Sequence, residues 1–411
     1  MSSTQGFPSS DNIDPTLSQE HTDLARLKNR LAALEDELAA AKEQRSKPLT
    51  PVTMGRGVPK LISMFESIQT LVTESDRRLV EGDGMNCASF TEQRRRDRTF
   101  QSYKLLTRLV PDLEKRLETG TAAEISDFIT SLQRGAVDAR GDDIRRIREE
   151  LSVWLNEIYV TEKPFSPKDR DDRGMGNDIT GRLLCPITLD WDNEDIRFNI
   201  REKVDGYAID NIFFVRALYP MGNGDPDDVT SSGWLRSSLL VRTYCALFTS
   251  PSSANKFEAI ESESGPVRKK HKSSLDPSQP SRPVTKANVA TLLRMEGNVT
   301  PRSIAYAAVL LVFNLTDAKA WPGNSTYNGF DFVKFYNLII DSFEGTKNPD
   351  AETIERNQDL LAWWNKNVFH DYSANHNESE DSWELLKAQR AVRVKTRRIQ
   401  ANAAQRATAS R

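Results

Sequence analysis

Residues 299–315 read Val-Thr-Pro-Arg-Ser-Ile-Ala-Tyr-Ala-Ala-Val-Leu-Leu-Val-Phe-Asn-Leu. Thr300 offers a side-chain oxygen to the open amides of a helix start, and Pro301 supplies a first-turn residue with its φ already helical. From Ser303 to Leu315 the apolar residues run round the whole helix and leave no polar stripe, so this helix must be buried on most sides. It is too short to span a bilayer, and no apolar run in the chain approaches the ~18 residues that would.

Helical periodicity continues on both sides. Downstream it places helices over 330–343 (Phe332, Tyr336, Ile339, Ile340, Phe343) and 350–367 (Ile354, Leu360, Leu361, Trp364). Upstream, Leu61, Ile62, Phe65, Ile68, Leu71 and Val72 share one face of a helix over 60–80 that opens after Pro59, and a second helix occupies about 90–110. Thr121 and Glu124 have the spacing of a capping box at the head of a third. A fourth is expected to start at Asp142 or Asp143 and carry Ile144, Ile147, Leu151, Trp154 and Leu155 along one side. The pattern returns around 191–204 and 234–248, while 160–190 is rich in loop residues. Only 209–215 (IDNIFFV) alternates like a strand, and one strand makes no sheet. The expected fold is all-α: an irregular multi-helix globular body with an N-terminal coiled-coil helix and a basic C-terminal tail.

The chain has 411 residues, of which 38% are hydrophobic, low for a single compact body, so part of it is expected to be tail or linker. The divisions expected are disorder over 1–21, a coiled coil over 22–45 and a linker over 46–59, whose three prolines and two glycines break the helix. A first part of the body follows over 60–249. An exposed Ser/Pro/Lys/Glu-rich linker or insertion covers 250–285, a second part of the body 286–372, and a polar helix with a basic tail 373–411. In the coiled-coil segment Leu24, Leu27, Leu31, Leu34 and Leu38 alternate at spacings of three and four. With Leu24 at position a, the g-to-e′ pairs of a parallel dimer are Asp23–Lys28, Arg30–Glu35 and Glu37–Lys42, all opposite in sign. A homodimer is therefore the expected assembly.

Catalytic signatures are missing. There is no phosphate-binding G-x-x-x-x-G-K-[ST], no H-E-x-x-H and no G-x-S-x-G, and Gly222-Asn-Gly224 lacks the strand, the third glycine and the helix of a dinucleotide site. The four histidines are scattered. Cys87, Cys185 and Cys245 are too far apart for a zinc site and are read as small apolar side chains. Asp190-Trp-Asp192-Asn-Glu194-Asp195 begins like a calcium loop, but has Asp195 where glycine is needed and Arg201 where the bidentate glutamate belongs. It is read as acid at a helix N-terminus, and Asp225-Pro-Asp227-Asp228 as a turn. No cofactor and no metal is expected. If a small-molecule pocket exists, the 160–190 loop with Trp191 is where it would lie.

Three basic features remain. Residues 387–411 carry eight cations and no acid; with a whole-chain charge of −3, the other 386 residues sum to −11. Arg390, Arg393, Lys395, Arg397 and Arg398 form the densest part of this tail, suited to phosphates or an acidic protein partner. Lys269, Lys270 and Lys272 match a nuclear-import pattern in an exposed segment, so nuclear residence is expected, with the cytoplasm as alternative. Arg94, Arg95, Arg96 and Arg98 point round a helix and are read as a solvated face. The N-terminus has no apolar signal core, and no membrane partner is expected.

Five phrases taken in order carry a resemblance: Arg140-Gly-Asp-Asp143, Thr180-Gly-Arg-Leu-Leu-Cys-Pro186 with Leu189-Asp-Trp191, Phe248-Thr-Ser-Pro-Ser-Ser-Ala254, Val299-Thr-Pro-Arg-Ser-Ile-Ala-Tyr306, and Leu360-Leu-Ala-Trp-Trp-Asn365 with Val368-Phe369. Over about residues 95–370 the chain resembles an uncharacterised family of basidiomycete fungi catalogued as a domain of unknown function. The resemblance implies no catalytic residue. It implies an origin in a family with many copies per genome, by mobile elements or lineage expansion.

The function expected is that of a non-enzymatic interaction protein. It would dimerise by its coiled coil and bind nucleic acid without sequence preference through its tail. The alternatives are a structural assembly protein of retroelement-coat type and an enzyme of unknown type. Leu31→Pro is expected to abolish self-association, because an interior proline costs a helix about 3 kcal/mol or more. Light scattering on that variant, and on a chain lacking residues 1–50, checks this; an unchanged particle mass would refute it.

Overall fold

The structure is a computed structural model that describes residue 30 and residues 49–82, 89–204, 206–207, 213–230, 233–250, 254, 288–323, 325–345 and 349–369. The body from Pro51 onward is built of helices: α1 (Pro51–Gly55), α2 (Val58–Leu61), α3 (Ile68–Glu81), α4 (Phe90–Leu109), α5 (Leu113–Thr119), α6 (Ala122–Ile158), α7 (Asp178–Leu184), α8 (Glu194–Arg201), α9 (Ser238–Phe248), α10 (Val289–Leu292), α11 (Pro301–Leu315), α12 (Phe332–Glu344) and α13 (Ala351–Val368). A two-stranded hairpin, β1 (Thr326–Tyr327) and β2 (Phe330–Asp331), is the sole sheet among the described residues. The body is all-α, as its periodicity indicates.

Helix α11 begins where Thr300 and Pro301 place it. The Thr300 side chain accepts from the Ser303 amide and the Ser303 side chain accepts from the Thr300 amide. Every residue from Arg302 to Leu315 is buried. Around it pack α9, buried from Leu239 to Phe248, and the apolar face of α12 (Phe332, Phe335, Tyr336, Ile339, Ile340). From α13 come Leu360, Trp364 and Val368. The Asn365 side chain accepts from the Val299 amide at 2.7 Å and fixes α13 to the entry of α11. Of the tryptophan pair, Trp364 is buried and donates its indole N–H to Leu235 O at 3.1 Å. Trp363 lies partly exposed under the Arg236 guanidinium.

Helix α6 corrects the expectation of two helices. Thr121 does form the capping box with Glu124, but the helix then runs unbroken for 37 residues, about 55 Å, through Gly141, Asp142 and Asp143. Neither aspartate is a cap. The helix continues because it serves two cores in succession. Phe128, Ile129, Leu132 and Ala136 join one with Ile68, Leu71, Tyr103, Leu106 and Leu113. Ile144, Ile147, Leu151, Trp154 and Leu155 join the large one around α11. A smaller cluster holds Cys185, Trp191 and Ile200.

The stretch read as a linker over 46–59 also differs: Pro51–Gly55 and Val58–Leu61 are short helices, and α1 lies along α6. Gly55 and Gly135 allow the approach, since a Cβ on either would strike the facing backbone carbonyl, Leu132 O or Val52 O. The expected helix over 60–80 is interrupted, with Ser67 capping α3 by accepting from the Thr70 amide. Of the strand expected at 209–215, residues 213–215 are described, and Val215 makes one antiparallel bridge to Pro186. The hairpin that does form turns on Asn328 (φ 48°) and Gly329 (φ 85°), the positive pair that a tight two-residue hairpin requires.

Two glycines of one helix are expected to respond oppositely to substitution. Gly141→Ala meets open space and should raise stability by about 0.5–1 kcal/mol, the usual gain of alanine over glycine in a helix. Gly135→Ala should lower stability, because its methyl would collide with the Val52 carbonyl. Urea-denaturation midpoints check this; shifts of the same sign would contradict the packing of α1 on α6.

Candidate functional site

The ionisable side chains inside the body are the ones with chemistry to explain. At the centre is Asp143, 5% exposed. Its Oδ2 accepts from the Tyr306 hydroxyl at 2.7 Å and pairs with the Lys60 ammonium. Lys60 comes from α2, Asp143 from α6 and Tyr306 from α11, so three segments meet on one oxygen. The Lys60 nitrogen also lies over the Tyr306 ring at 5.1 Å and the Phe248 ring at 5.9 Å, both favourable for a cation. Burial, reinforced by Arg146 and Arg56, pushes the Lys60 ammonium well below its ordinary pKa. Burial pushes the Tyr306 phenol up, so it stays a donor. The neighbouring Asp142 faces outward and pairs with Arg56 at 2.9 Å, which holds its carboxyl below the usual range.

A second buried charge, Arg302, sits in the first turn of α11 at 2% exposure. It donates to both Glu344 oxygens (3.1 and 2.8 Å), to Ile62 O and to the Ser102 hydroxyl. Nη1 of Arg98 donates to both Asp341 carboxylate oxygens at 2.8–2.9 Å. The arginine run read as a solvated face is therefore split. Arg95 and Arg96 hold Glu92 on their own helix, while Arg98, with Arg94 at 3.7 Å, binds α4 to α12.

At the opposite end of α11, Arg170 and Arg173 (4% and 2% exposed) reach its last turn from the 160–190 loop. Arg170 donates to Phe313 O at 2.8 Å and Thr316 O at 3.0 Å; Arg173 donates to Asn314 O at 2.7 Å and the Ser152 hydroxyl at 2.6 Å. Gly174 follows at φ 77°, and Thr180 donates to its carbonyl at 2.8 Å. These contacts hold the 160–190 loop in one path. The space beside Trp191, the place expected for any small-molecule pocket, is filled: the ring lies where a Cβ on Gly181 would be, and Trp191 is 2% exposed. An open groove of about 810 Å³ runs instead along α6, between Ser67 and Gln69 on one wall and Ile125, Ile129, Gln133 and Val137 on the other.

The dimerisation leucines Leu24, Leu27, Leu31, Leu34 and Leu38, the tail cations Arg390, Arg393, Lys395, Arg397 and Arg398, and Lys269, Lys270 and Lys272 all lie outside the described residues. Cys185 and Cys245 are buried, and burial pushes each thiol up to about 11, as for inert apolar side chains. The calcium-like segment is a helix start: Asn193 accepts from the Asp195 and Ile196 amides, and Asp192 pairs with Arg182. Asp225 accepts from the Asp227 amide at 2.9 Å, closing the expected turn. Among the described residues no group of His, Cys, Asp and Glu could hold a metal ion, and no helix is long and apolar enough to cross a membrane.

Sequence reading passed over the buried roles of Lys60, Asp143, Tyr306, Arg302 and Arg170. A signal existed for two of them. Asp143 lies four and eight residues before Ile147 and Leu151, so it occupies a core position of the stripe, and Arg302 begins an otherwise apolar run.

The fold and its charged interior define a helical body organised around one fully enclosed helix. The model of a family of unknown function (DUF6698) matches residues 134–369, more than half of the chain, and the chain belongs to that family. No curated protein and no solved structure matches it. The matched region contains all five phrases quoted above. Three of them meet physically, because Asp143 is hydrogen-bonded to Tyr306 and the Val299 amide to the Asn365 side chain.

Lys60→Met is expected to destabilise the body by about 3–5 kcal/mol, since it leaves a buried carboxylate without its cation. Tyr306→Phe should cost about 1–3 kcal/mol. The double variant Lys60→Met, Asp143→Leu should recover much of the first loss, as apolar replacement of a whole buried pair commonly does. Denaturation of the four proteins checks this, and a double variant weaker than Lys60→Met alone would contradict it.

Proposed function

We propose that the chain is a non-enzymatic interaction protein. It self-associates through residues 22–45 and offers residues 387–411 as a basic arm to nucleic acid in the nucleus. The observation that carries this reading is the charge split: eight cations and no acid in the last 25 residues, against a chain whose net charge is −3. In the body Arg95, Arg96, Arg98 and Arg302 are each held by Glu92, Asp341 or Glu344. Lys269, Lys270 and Lys272 would supply the import signal. The leucine ladder of 22–45 would bring two arms together, and paired weak binders gain avidity without new contacts. A coat-type assembly uses the same three parts. Light scattering separates the readings, since a discrete dimer supports an interaction protein and large particles support a coat.

Arg390, Arg393 and Arg397 share a helical i, i+3, i+7 stripe suited to ordering on a duplex. Engagement of about five phosphates gives a log–log salt slope of about −4 to −5 on duplex DNA. With no groove-reading motif, little base preference is expected. Neutralising Arg390, Arg393, Lys395, Arg397 and Arg398 together should weaken binding to all sequences alike. Mobility-shift titrations at about 50 mM salt and above test the arm, and no shift by the wild type would remove nucleic acid as partner.

A further inference from the structure

The arginine knot at the C-terminal end of α11 has more hydrogen-bonding capacity than the protein uses. Arg170 and Arg173 each spend part of their guanidinium on protein groups: Nη2 of Arg170 on Phe313 O and Thr316 O, Nη1 of Arg173 on Asn314 O, and Nη2 of Arg173 on Ser152 Oγ and Ser166 O. Arg148 stands one turn before Ser152 on the same face of α6, and its carbonyl accepts from the Ser152 hydroxyl at 2.8 Å. Nε of Arg148, Nε and Nη1 of Arg170, and Nε of Arg173 are all buried donors with no protein partner. Both oxygens of Asp172 and Oδ1 of Asn314 are buried acceptors in the same condition.

Buried polar atoms are nearly always paired, and each one left over is costly. This many in one place, on side chains as enclosed as Arg170 and Arg173, indicate a ligand that accepts from several guanidinium N–H groups and also donates. The charges agree. Three guanidinium groups, those of Arg148, Arg170 and Arg173, act on one another here, with the carboxylates of Asp172 and Asp317 as the acids that offset them. Arg170 is pushed down to about 9 by burial and by Arg148 and Arg173, the condition of a cation short of counter-charge. Lys319 and Asp171, at the rim, satisfy each other at 3.1 Å. The carbonyls of α11 that would repel an anion are already covered by Arg170 and Arg173, and Arg148 and Asp172 are half-buried.

We propose that this knot is a binding site for inorganic phosphate, with the guanidinium groups of Arg148, Arg170 and Arg173 donating to its oxygens and the Asp172 carboxylate accepting from its hydroxyl. Guanidinium groups match phosphate oxygens in geometry and charge. A carboxylate in the site sets the choice among anions. Hydrogen phosphate presents an O–H that Asp172 can accept, whereas sulfate presents only oxygens that Asp172 repels. A phosphate monoester loses its second proton near pH 6 and at pH 7.5 lacks that hydroxyl as well.

The test is thermal unfolding and calorimetric titration of the full chain at pH 7.5, at constant ionic strength held with chloride. Inorganic phosphate should raise the unfolding midpoint saturably, as a ligand of the native state does. Sulfate and glycerol phosphate should add nothing beyond chloride. Arg148→Met should weaken phosphate binding at least about tenfold. Asp172→Asn should erase the preference, so that sulfate binds as phosphate does. Equal shifts by phosphate and sulfate in the wild type would overturn the proposal, as would an Arg148→Met titration that overlays the wild type. Should Arg148→Met fail to fold, Asp172→Asn decides alone, and preference for phosphate retained in that variant rejects the site.

Discussion

A carboxylate withdrawn from water must be compensated where it lies, and Asp143 receives a cation from one direction and a hydroxyl from another. Left single, that charge would cost several kcal/mol, a large share of the stability of an ordinary domain. Compensation therefore dictates position. Lys60 has to arrive from a segment more than eighty residues earlier and Tyr306 from one more than a hundred and sixty later. The α1–α2 segment is held to the body by this pair, by the glycine contacts on α6, and by Val58, Met54 and Leu61 in the smaller core. A buried ion pair adds less stability than an apolar contact of equal size, but its geometry admits few alternatives, and here it sets which turn of α6 faces α11.

The length of α6 follows from the same arrangement. Its first half closes a small core with α3, α4 and α5, its second half closes the large one, and Asp143 lies between Ala139 and Ile144 at the passage from one to the other. Small residues at Gly135, Ala136 and Ala139 let other backbone approach in the middle. Burial at both ends outweighs the penalty of Gly135 and Gly141 inside a helix, about 1 kcal/mol each.

Both ends of α11 are fastened by arginines, with different results. At the N-terminus Arg302 is fully engaged with Glu344, Ser102 and Ile62, a closed network that joins α4, α11 and α12. At the C-terminus Arg170 and Arg173 satisfy the last carbonyls, as cations at a helix end should, yet keep donors in reserve. One end is a joint, and the other has the chemistry of a receptor.

What local interactions govern is legible in the order of residues. The starts of α11 at Thr300-Pro301 and of α6 at Thr121 rest on capping between residues three apart, and the apolar stripes of α12 and α13 rest on helical period. The buried state of α11, Cys185 and Cys245, and the division of labour between Trp363 and Trp364, follow from the same rules. The β-hairpin also has a local signal, in Asn328-Gly329, though its strands of two residues each are too short to show alternation. Tertiary structure alone decided the rest. Asp143 has the look of a helix cap when only its neighbours are considered, and becomes a core residue because Lys60 and Tyr306 come to it across the fold. Arg98 reads as surface charge in a linear chain but is tied to Asp341, and Arg170, Arg173 and Arg302 are interior because distant carbonyls and carboxylates replace the water they lose. Periodicity reports which side of a helix avoids water; it carries no information about which distant group will satisfy a charge, and that pairing exists only once the chain has closed on itself.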